Sequence, residues 1–195
     1  MTDDGNENSI VSAVEAVLFS CGYPVDCEEL CYALNADINC VERAVERLNT
    51  RYLQYISGIR VIKLNNSYQL CTEERFAQPI RKALGLKEPA AFSKPALEVL
   101  LIIASFQPTT QRFIDNIRGV DSSYWVEWLV ERELIEPVGK LDRRGKPKAY
   151  ATTMDFLRTF HLSSIKDLPE IGSNSPGGAA SVQSELALDE LEGLI

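Results

Sequence analysis

The sequence predicts a mainly α-helical chain with small β-hairpin wings, organised as two tandem copies of one unit, and three observations carry that reading. First, an offset of about 84 residues lays one stretch on another without a gap: Pro24 falls on Pro108, Asp26 on Thr110, Leu30 on Ile114, Asp37 on Asp121, Val41 on Trp125 and Val45 on Leu129. The residue types differ while the roles agree, and a repeat this long is a duplicated small domain, not a solenoid. Second, apolar residues recur at helical spacing in each copy, as in Val14, Val17, Leu18 and Cys21, and in Val41, Ala44, Val45, Leu48 and Tyr52. Third, each copy closes with two short apolar runs around a polar turn, which is a hairpin signature.

The elements follow in order. A first helix is expected near Ile10–Cys21 and ends at Gly22-Tyr23-Pro24. Asp26 caps a short second helix, with Glu28 and Glu29 in the first turn, where negative charge favours the positive helix end. Asp37 or Asn39 starts a longer third helix, and Ser57-Gly58 ends it. Ile59–Leu64 and Tyr68–Thr72 form a hairpin around Asn65-Asn66-Ser67, followed by a helix near Glu73–Leu84. In the second copy a very apolar helix spans about Lys94–Phe106, and Pro108 turns the chain. Thr110 caps a helix to about Ile117, Gly119 makes the turn, and Asp121 caps a third helix to about Glu133. Ile135–Leu141 and Lys148–Thr152 form the second hairpin around Asp142–Pro147, and Thr153 caps a last helix reaching His161. Three helices, a hairpin and a helix are the winged-helix plan, whose second and third helices form the helix-turn-helix part. The expected organisation is therefore a disordered acidic N-terminus over 1–8, a winged-helix domain over 9–84, a linker over 85–92, a winged-helix domain over 93–169 and a disordered acidic tail over 170–195. In that tail Gly172–Ser181 has the composition of disorder, and Glu185–Ile195, with Leu186, Leu188, Leu191 and Leu194 among acids, reads as a frayed end or a weak docking helix.

Composition narrows the function. The 195 residues, 45% of them hydrophobic, suit one or two globular domains. No apolar run reaches the roughly 18 residues that would span a bilayer, and the acidic, polar start is unlike a signal peptide, so a cytoplasmic protein without a membrane partner is expected. The net charge of −8 comes from acids near the two ends, leaving 9–169 formally neutral. A neutral body does not advertise phosphate binding. The five cysteines are an odd count and argue against a disulfide framework. Cys27 and Cys31 lie four apart on a helix, but no CxxC or nearby His completes a zinc site, and they read as small core residues.

The second copy resembles the segregation and condensation protein B family. The residues that carry this are Ser93-Lys-Pro-Ala-Leu-Glu98, Ile102-Ile103-Ala104, Gln107-Pro108, Ile117-Arg-Gly-Val-Asp-Ser122 and Leu129-Val-Glu-Arg-Glu-Leu-Ile135. Val138-Gly139, Gly145-Lys-Pro147, Tyr150-Ala-Thr-Thr153, Phe156-Leu-Arg-Thr-Phe160 and Asp167-Leu-Pro169 continue the match. The first copy matches more loosely, through Val14-Glu-Ala-Val-Leu-Phe19 and Pro24. The resemblance implies a tandem winged-helix protein, dimeric mainly through its first domain. It implies binding to the kleisin subunit, segregation and condensation protein A, and through it to a structural-maintenance-of-chromosomes (SMC) ATPase that organises the bacterial chromosome, so that the protein would work at the nucleoid. The chain departs from the family at His161, where Gly is usual, at Lys146, where Arg is usual, at Cys27, Cys31 and Cys40, and at the bulky Tyr124 and Trp128.

Two surfaces stand out. On a wheel of the third helix of the second copy, at about 100° per residue, Trp125, Val126, Leu129 and Val130 form the core face, and Tyr124, Glu127, Trp128 and Glu131 the outward one. Outward carboxylates repel phosphate, and nothing there suits a base edge. The face reads as built for protein, with Tyr124 and Trp128 either anchoring a partner or packing on the chain itself. The second surface is the hairpin tip with Lys140, Arg143, Arg144, Lys146 and Lys148, which reads as a solvated tip or a weak, non-specific phosphate contact. For dimerisation the sequence points to Ile10, Val11, Val14, Val17 and Leu18, apolar on several sides of the first helix. Catalysis finds no support: the single His, His161, sits at a helix end, and there is no P-loop or GxGxxG. The expectation is a non-enzymatic scaffold with no cofactor and no metal. The alternative is a winged-helix transcription regulator.

Overall fold

The computed structural model describes residues 3–87, 91–140 and 145–168, and the chain divides into two compact units, Met1–Pro89 and Ala90–Ile195. The fold is mainly helical with two small antiparallel sheets.

In the first unit, α1 (Asp3–Cys21) leads to β1 (Val25–Asp26), α2 (Cys27–Leu34) and α3 (Ile38–Gln54). β2 (Ile59–Leu64) and β3 (Ser67–Thr72) follow, then a 3₁₀ turn (Glu74–Phe76) and α4 (Ala77–Leu84). Asp26 caps α2 by accepting from Glu28 N at 2.8 Å, and Asp37, not Asn39, caps α3 by accepting from Cys40 N at 2.9 Å. The turn between α2 and α3 places Asn35 in the left-handed region, φ 49°, which Asn tolerates better than most residues. The core is assembled from the sides of α1, α2 and α3 that the helical spacing singled out: Val14, Leu18, Leu30, Val41, Ala44, Leu48 and Tyr52 are all buried. Asn49 locks α3 to the sheet in both directions, donating from Nδ2 to Val61 O at 2.9 Å and accepting from Val61 N at 2.8 Å. Glu15 ties α1 to α3 by pairing with Arg51 and accepting from Tyr52 Oη at 2.6 Å. Burial, and then the Glu15 carboxylate, push the Tyr52 phenol well above its ordinary value.

The second unit repeats the order. α5 (Lys94–Phe106), β4 (Thr109–Thr110), α6 (Gln111–Arg118), α7 (Ser123–Glu131), β5 (Ile135–Lys140), β6 (Lys148–Thr152) and α8 (Met154–Thr159) are followed by a 3₁₀ turn at Ile165–Asp167. The two sheets share one strand order, β1-β3-β2 and β4-β6-β5. The 84-residue offset carries β1 onto β4 and α2 onto α6. It also carries the left-handed cap Asn35 onto Gly119, φ 72°. The first helices need one residue more, because Val11, Val14 and Leu18 then fall on Ala96, Val99 and Ile103, all of them buried. The extra residue lies in the connection after the helix, which is three residues long after α1 and two after α5.

Several sequence expectations are corrected. Residues 3–8 are helical, since α1 begins at Asp3 and not near Ile10; a helix nucleated downstream extends at little cost through a stretch without proline. β3 begins at Ser67, because Leu64 pairs with Ser67 and the turn is the two residues Asn65-Asn66, with Asn65 at φ 54°. Phe92, expected in the linker, belongs to the second unit, with its ring 5.7 Å from those of Trp128 and Phe160. The cap of α7 is Ser122, not Asp121, and α7 ends at Glu131 because the chain turns left-handed at Glu133, φ 58°. Asp121 instead accepts from Ser123 Oγ at 2.5 Å. In β5 the pairing slips between Pro137 and Gly139, leaving Val138 as an extra exposed residue. Proline cannot donate to the ladder, and Gly139 takes φ 128°, a conformation open to glycine. The last helix stops at Thr159, short of His161. Leu141, Asp142 and the tail over 170–195 lie outside the described residues.

Candidate protein-binding site

The outward face of α7 is positioned by a polar network built from the motif residues of the second copy. Arg118, at the end of α6, donates from Nε and Nη2 to Glu98 Oε2 of α5 at 3.2 and 3.1 Å, and from Nη1 to Ser122 Oγ at 2.9 Å. Asp115 Oδ1 accepts from Ser122 N at 2.8 Å. Ser122 is fully buried, so these bonds satisfy polar groups that water cannot reach. The network joins α5, α6 and the start of α7, and so sets the direction in which α7 presents its side chains.

The four expected face residues do not share one environment. Glu127 and Glu131 are exposed, and Tyr124 is 62% exposed, with its ring edge-on to Trp125 at 4.8 Å. Trp128 is half-buried within its own unit. Its ring meets Phe92 at 5.7 Å and Trp125 at 6.1 Å, and Arg132 Cζ lies 3.4 Å from its ring centre. The face therefore splits, with Trp128 packed on the chain and Tyr124 open. The expected core stripe also thins, because Val126 and Leu129 are buried while Trp125 and Val130 are only half-buried. Six apolar side chains need not all reach the core of so short a helix.

At the basic hairpin, Lys140 and Lys148 are directly paired across the strands and exposed, and Lys146 is exposed with φ 42°. Arg143 and Arg144 lie outside the described residues. Among the described residues no three His, Cys, Asp or Glu side chains come together as a metal site. Cys27 is buried in the first core, and burial, with Cys31 beside it, pushes its thiol up to about 11.

The structure brings forward residues that sequence reasoning missed. The largest apolar exposure is in the first unit: Phe19 77%, Tyr32 91%, Leu53 75%, Tyr55 80% and Ile56 74%. The helix 1 residues proposed for dimerisation are mostly core instead, with Val11, Val14 and Leu18 buried and Ile10 and Val17 half-buried. Phe19 lies one turn beyond Glu15 on α1, and Tyr55 one turn beyond Arg51 at the end of α3, so the Glu15–Arg51 pair points to where these exposed rings emerge. A wheel of α3 extended past Tyr52 shows Leu53 off the core stripe, whereas Tyr55 falls on the stripe and is exposed because the helix ends at Gln54. Ile56 shows no signal in sequence, since its left-handed φ of 50° is a property of the fold.

Two units of one plan, each with helices packed on a three-stranded antiparallel sheet, define the class of this fold. It belongs to the family described as segregation and condensation complex subunit ScpB, whose family model matches residues 12–171 and so spans both units. A segregation and condensation protein B from Lachnoclostridium phytofermentans is 37% identical over 81% of this chain and 84% of its own length. One from Clostridioides difficile is 38% identical over 81% of this chain and 89% of its own. One from Alkaliphilus oremlandii is 33% identical over 96% of this chain and 99% of its own.

Proposed function

We propose that this chain is a non-enzymatic scaffold subunit of a bacterial condensin. It binds the kleisin subunit, segregation and condensation protein A, and through it supports the SMC ATPase in chromosome condensation and segregation at the nucleoid. The observation that carries the reading is the family match across both units. In this reading each unit is a winged-helix domain, and the helix order with its three-stranded sheet supports that assignment. The subunit acts as a homodimer joined through the first unit. The support is the concentration there of exposed large apolar side chains, Phe19, Leu53, Tyr55 and Ile56. A two-fold interface sets the same patch of both copies face to face, so an apolar surface that is self-complementary suits it. Light scattering on the full chain tests this: a dimer is expected, and Tyr55→Glu with Ile56→Glu should give a folded monomer.

The alternative, a sequence-specific DNA regulator, draws its support from the exposed Lys140, Lys146 and Lys148. Glu127 and Glu131 on the helix that would enter the groove oppose it. DNA contact should be non-specific and fade between low and physiological salt. A strong preference for one sequence over random competitor at physiological salt would favour the regulator.

A further inference from the structure

Two helices hold the same place in the two copies, and one of them carries apolar side chains that the other does without. α2 and α6 coincide at an offset of 84 residues, which lays Glu29 on Phe113 and Ala33 on Ile117. The fold therefore requires no large apolar residue at either place. In the second unit Phe113 and Ile117 stand one turn apart on α6, and both are exposed. The ring of Phe106, at the end of α5, meets Phe113 edge-on at 5.4 Å and is exposed as well, and so is Val120 in the turn after α6. Arg112, the neighbour of Phe113 on α6, is exposed and has no hydrogen-bond or charge partner among the described residues. The result is an apolar ridge with a free cation beside it.

The sequence runs on from Leu168 to Ile195, and its last segment complements that ridge. On a helical wheel at about 100° per residue, Leu188, Leu191, Leu194 and Ile195 fall on one side and Glu185, Asp189, Glu190 and Glu192 on the other. No Lys, Arg or His follows Lys166. The stretch between Leu168 and Glu185 is rich in Gly and Ser, a composition whose root-mean-square span at this length is roughly 20–25 Å. A unit of this size has a radius of gyration of about 12 Å, so the tether is long enough for the ridge of its own unit.

We propose that residues 185–195 dock on the ridge of Phe106, Phe113 and Ile117 in the same chain, with the leucines on the apolar side chains and the carboxylates toward Arg112. The competing place is the hairpin with Lys140, Lys146 and Lys148, which offers charge with little apolar surface. Exposed ion pairs contribute little each and are screened by salt, whereas burial of apolar area contributes more and is not screened. The ridge is therefore the stronger site. So placed, the tail keeps the ridge from other copies of the chain, and a partner that uses the ridge displaces it.

The test follows backbone hydrogen exchange by mass spectrometry in the full chain, with a synthetic peptide of residues 182–195 as the unbound reference. The amides of 186–195 should exchange severalfold more slowly in the chain than in the peptide, at low and at physiological salt alike and on dilution. Phe113→Glu/Ile117→Ala installs what the first unit carries at these places and should return the tail to the peptide's rate, with tryptophan fluorescence on heating as the check on folding. Leu188→Ser/Leu191→Ser alters neither α5 nor α6. It should free the tail and speed exchange across α6, so it decides the matter even if the ridge variant misfolds. A tail that exchanges at the peptide's rate in the unchanged chain overturns the docking, and so does slowing that the folded ridge variant leaves intact. Slowing that vanishes at physiological salt overturns it in favour of the lysine hairpin, and slowing that vanishes on dilution in favour of a second copy. Slowing of α6 by added kleisin while the tail exchanges freely also overturns it and gives the ridge to that partner.

Discussion

Replacing Arg118 by Met keeps the aliphatic stem and removes the guanidinium from the junction of α5, α6 and α7. Three charge-assisted bonds are lost, two to Glu98 and one to the buried Ser122. Removing one partner of a fully buried pair costs about 3–5 kcal/mol. Here the Arg118 side chain is 10% exposed and Glu98 34%, so water can take over part of the Glu98 solvation. Ser122 Oγ retains its bond to Val120 O at 3.4 Å. The expected loss is therefore about 2–3 kcal/mol, or roughly 10–20 °C in Tm for a unit of this size. The chain has two tryptophans, Trp125 and Trp128, both in the second unit, so intrinsic fluorescence during heating reports that unit alone. Lys63→Met, which breaks the exposed Lys63–Glu42 pair in the first unit, should shift the first unit's calorimetric transition by under about 1 kcal/mol. A fall of less than about 4 °C in the Arg118→Met variant, around 1 kcal/mol, would refute the claim that this network fixes α7.

Other outcomes follow from the same geometry. Trp128→Ala should destabilise the second unit by about 3 kcal/mol, as large aromatic truncations do, whereas Tyr124→Ala should leave its Tm nearly unchanged and weaken the kleisin complex; thermal fluorescence and calorimetry separate the two. His161 adopts φ 52°, so His161→Gly should stabilise the second unit by about 0.5–1 kcal/mol by relieving left-handed strain, read as a rise in fluorescence Tm. Asp37 is held below the ordinary carboxylate range by bonds from the Cys40 backbone and then its thiol. A carboxyl depressed in the folded state adds stability that is present above its unfolded pKa, about 3.9, and is lost as pH falls through the folded value. The Tm difference between the unchanged chain and Asp37→Asn should thus be full at neutral pH and close below the carboxylate range; a calorimetric gap that persists into strong acid contradicts the assignment.

Periodicity revealed the cores and the repeat, because burial acts on every third or fourth residue and leaves a regular trace. Caps were legible for the same reason of local chemistry, as at Asp26, Asp37, Thr110 and Thr153. The Asp121 cap failed because that choice depends on Asp115, seven residues earlier, which takes the Ser122 N–H. Whether Trp128 faces solvent depended on Phe92, which is distant in sequence and carries no periodic signal. The exposed apolar patch was sought on the wrong side of α1 because one helix with apolar residues on several faces does not say which face its neighbours cover.

The central claim, that this chain is a dimeric kleisin-binding scaffold, is tested most directly by mixing it with the kleisin from the same genome and measuring mass by size-exclusion chromatography with light scattering. The account predicts a single complex containing two copies of this chain with kleisin, stable at physiological salt and requiring no nucleotide or metal. A kleisin that elutes apart from this chain, or a chain that remains monomeric at tens of micromolar, would contradict it.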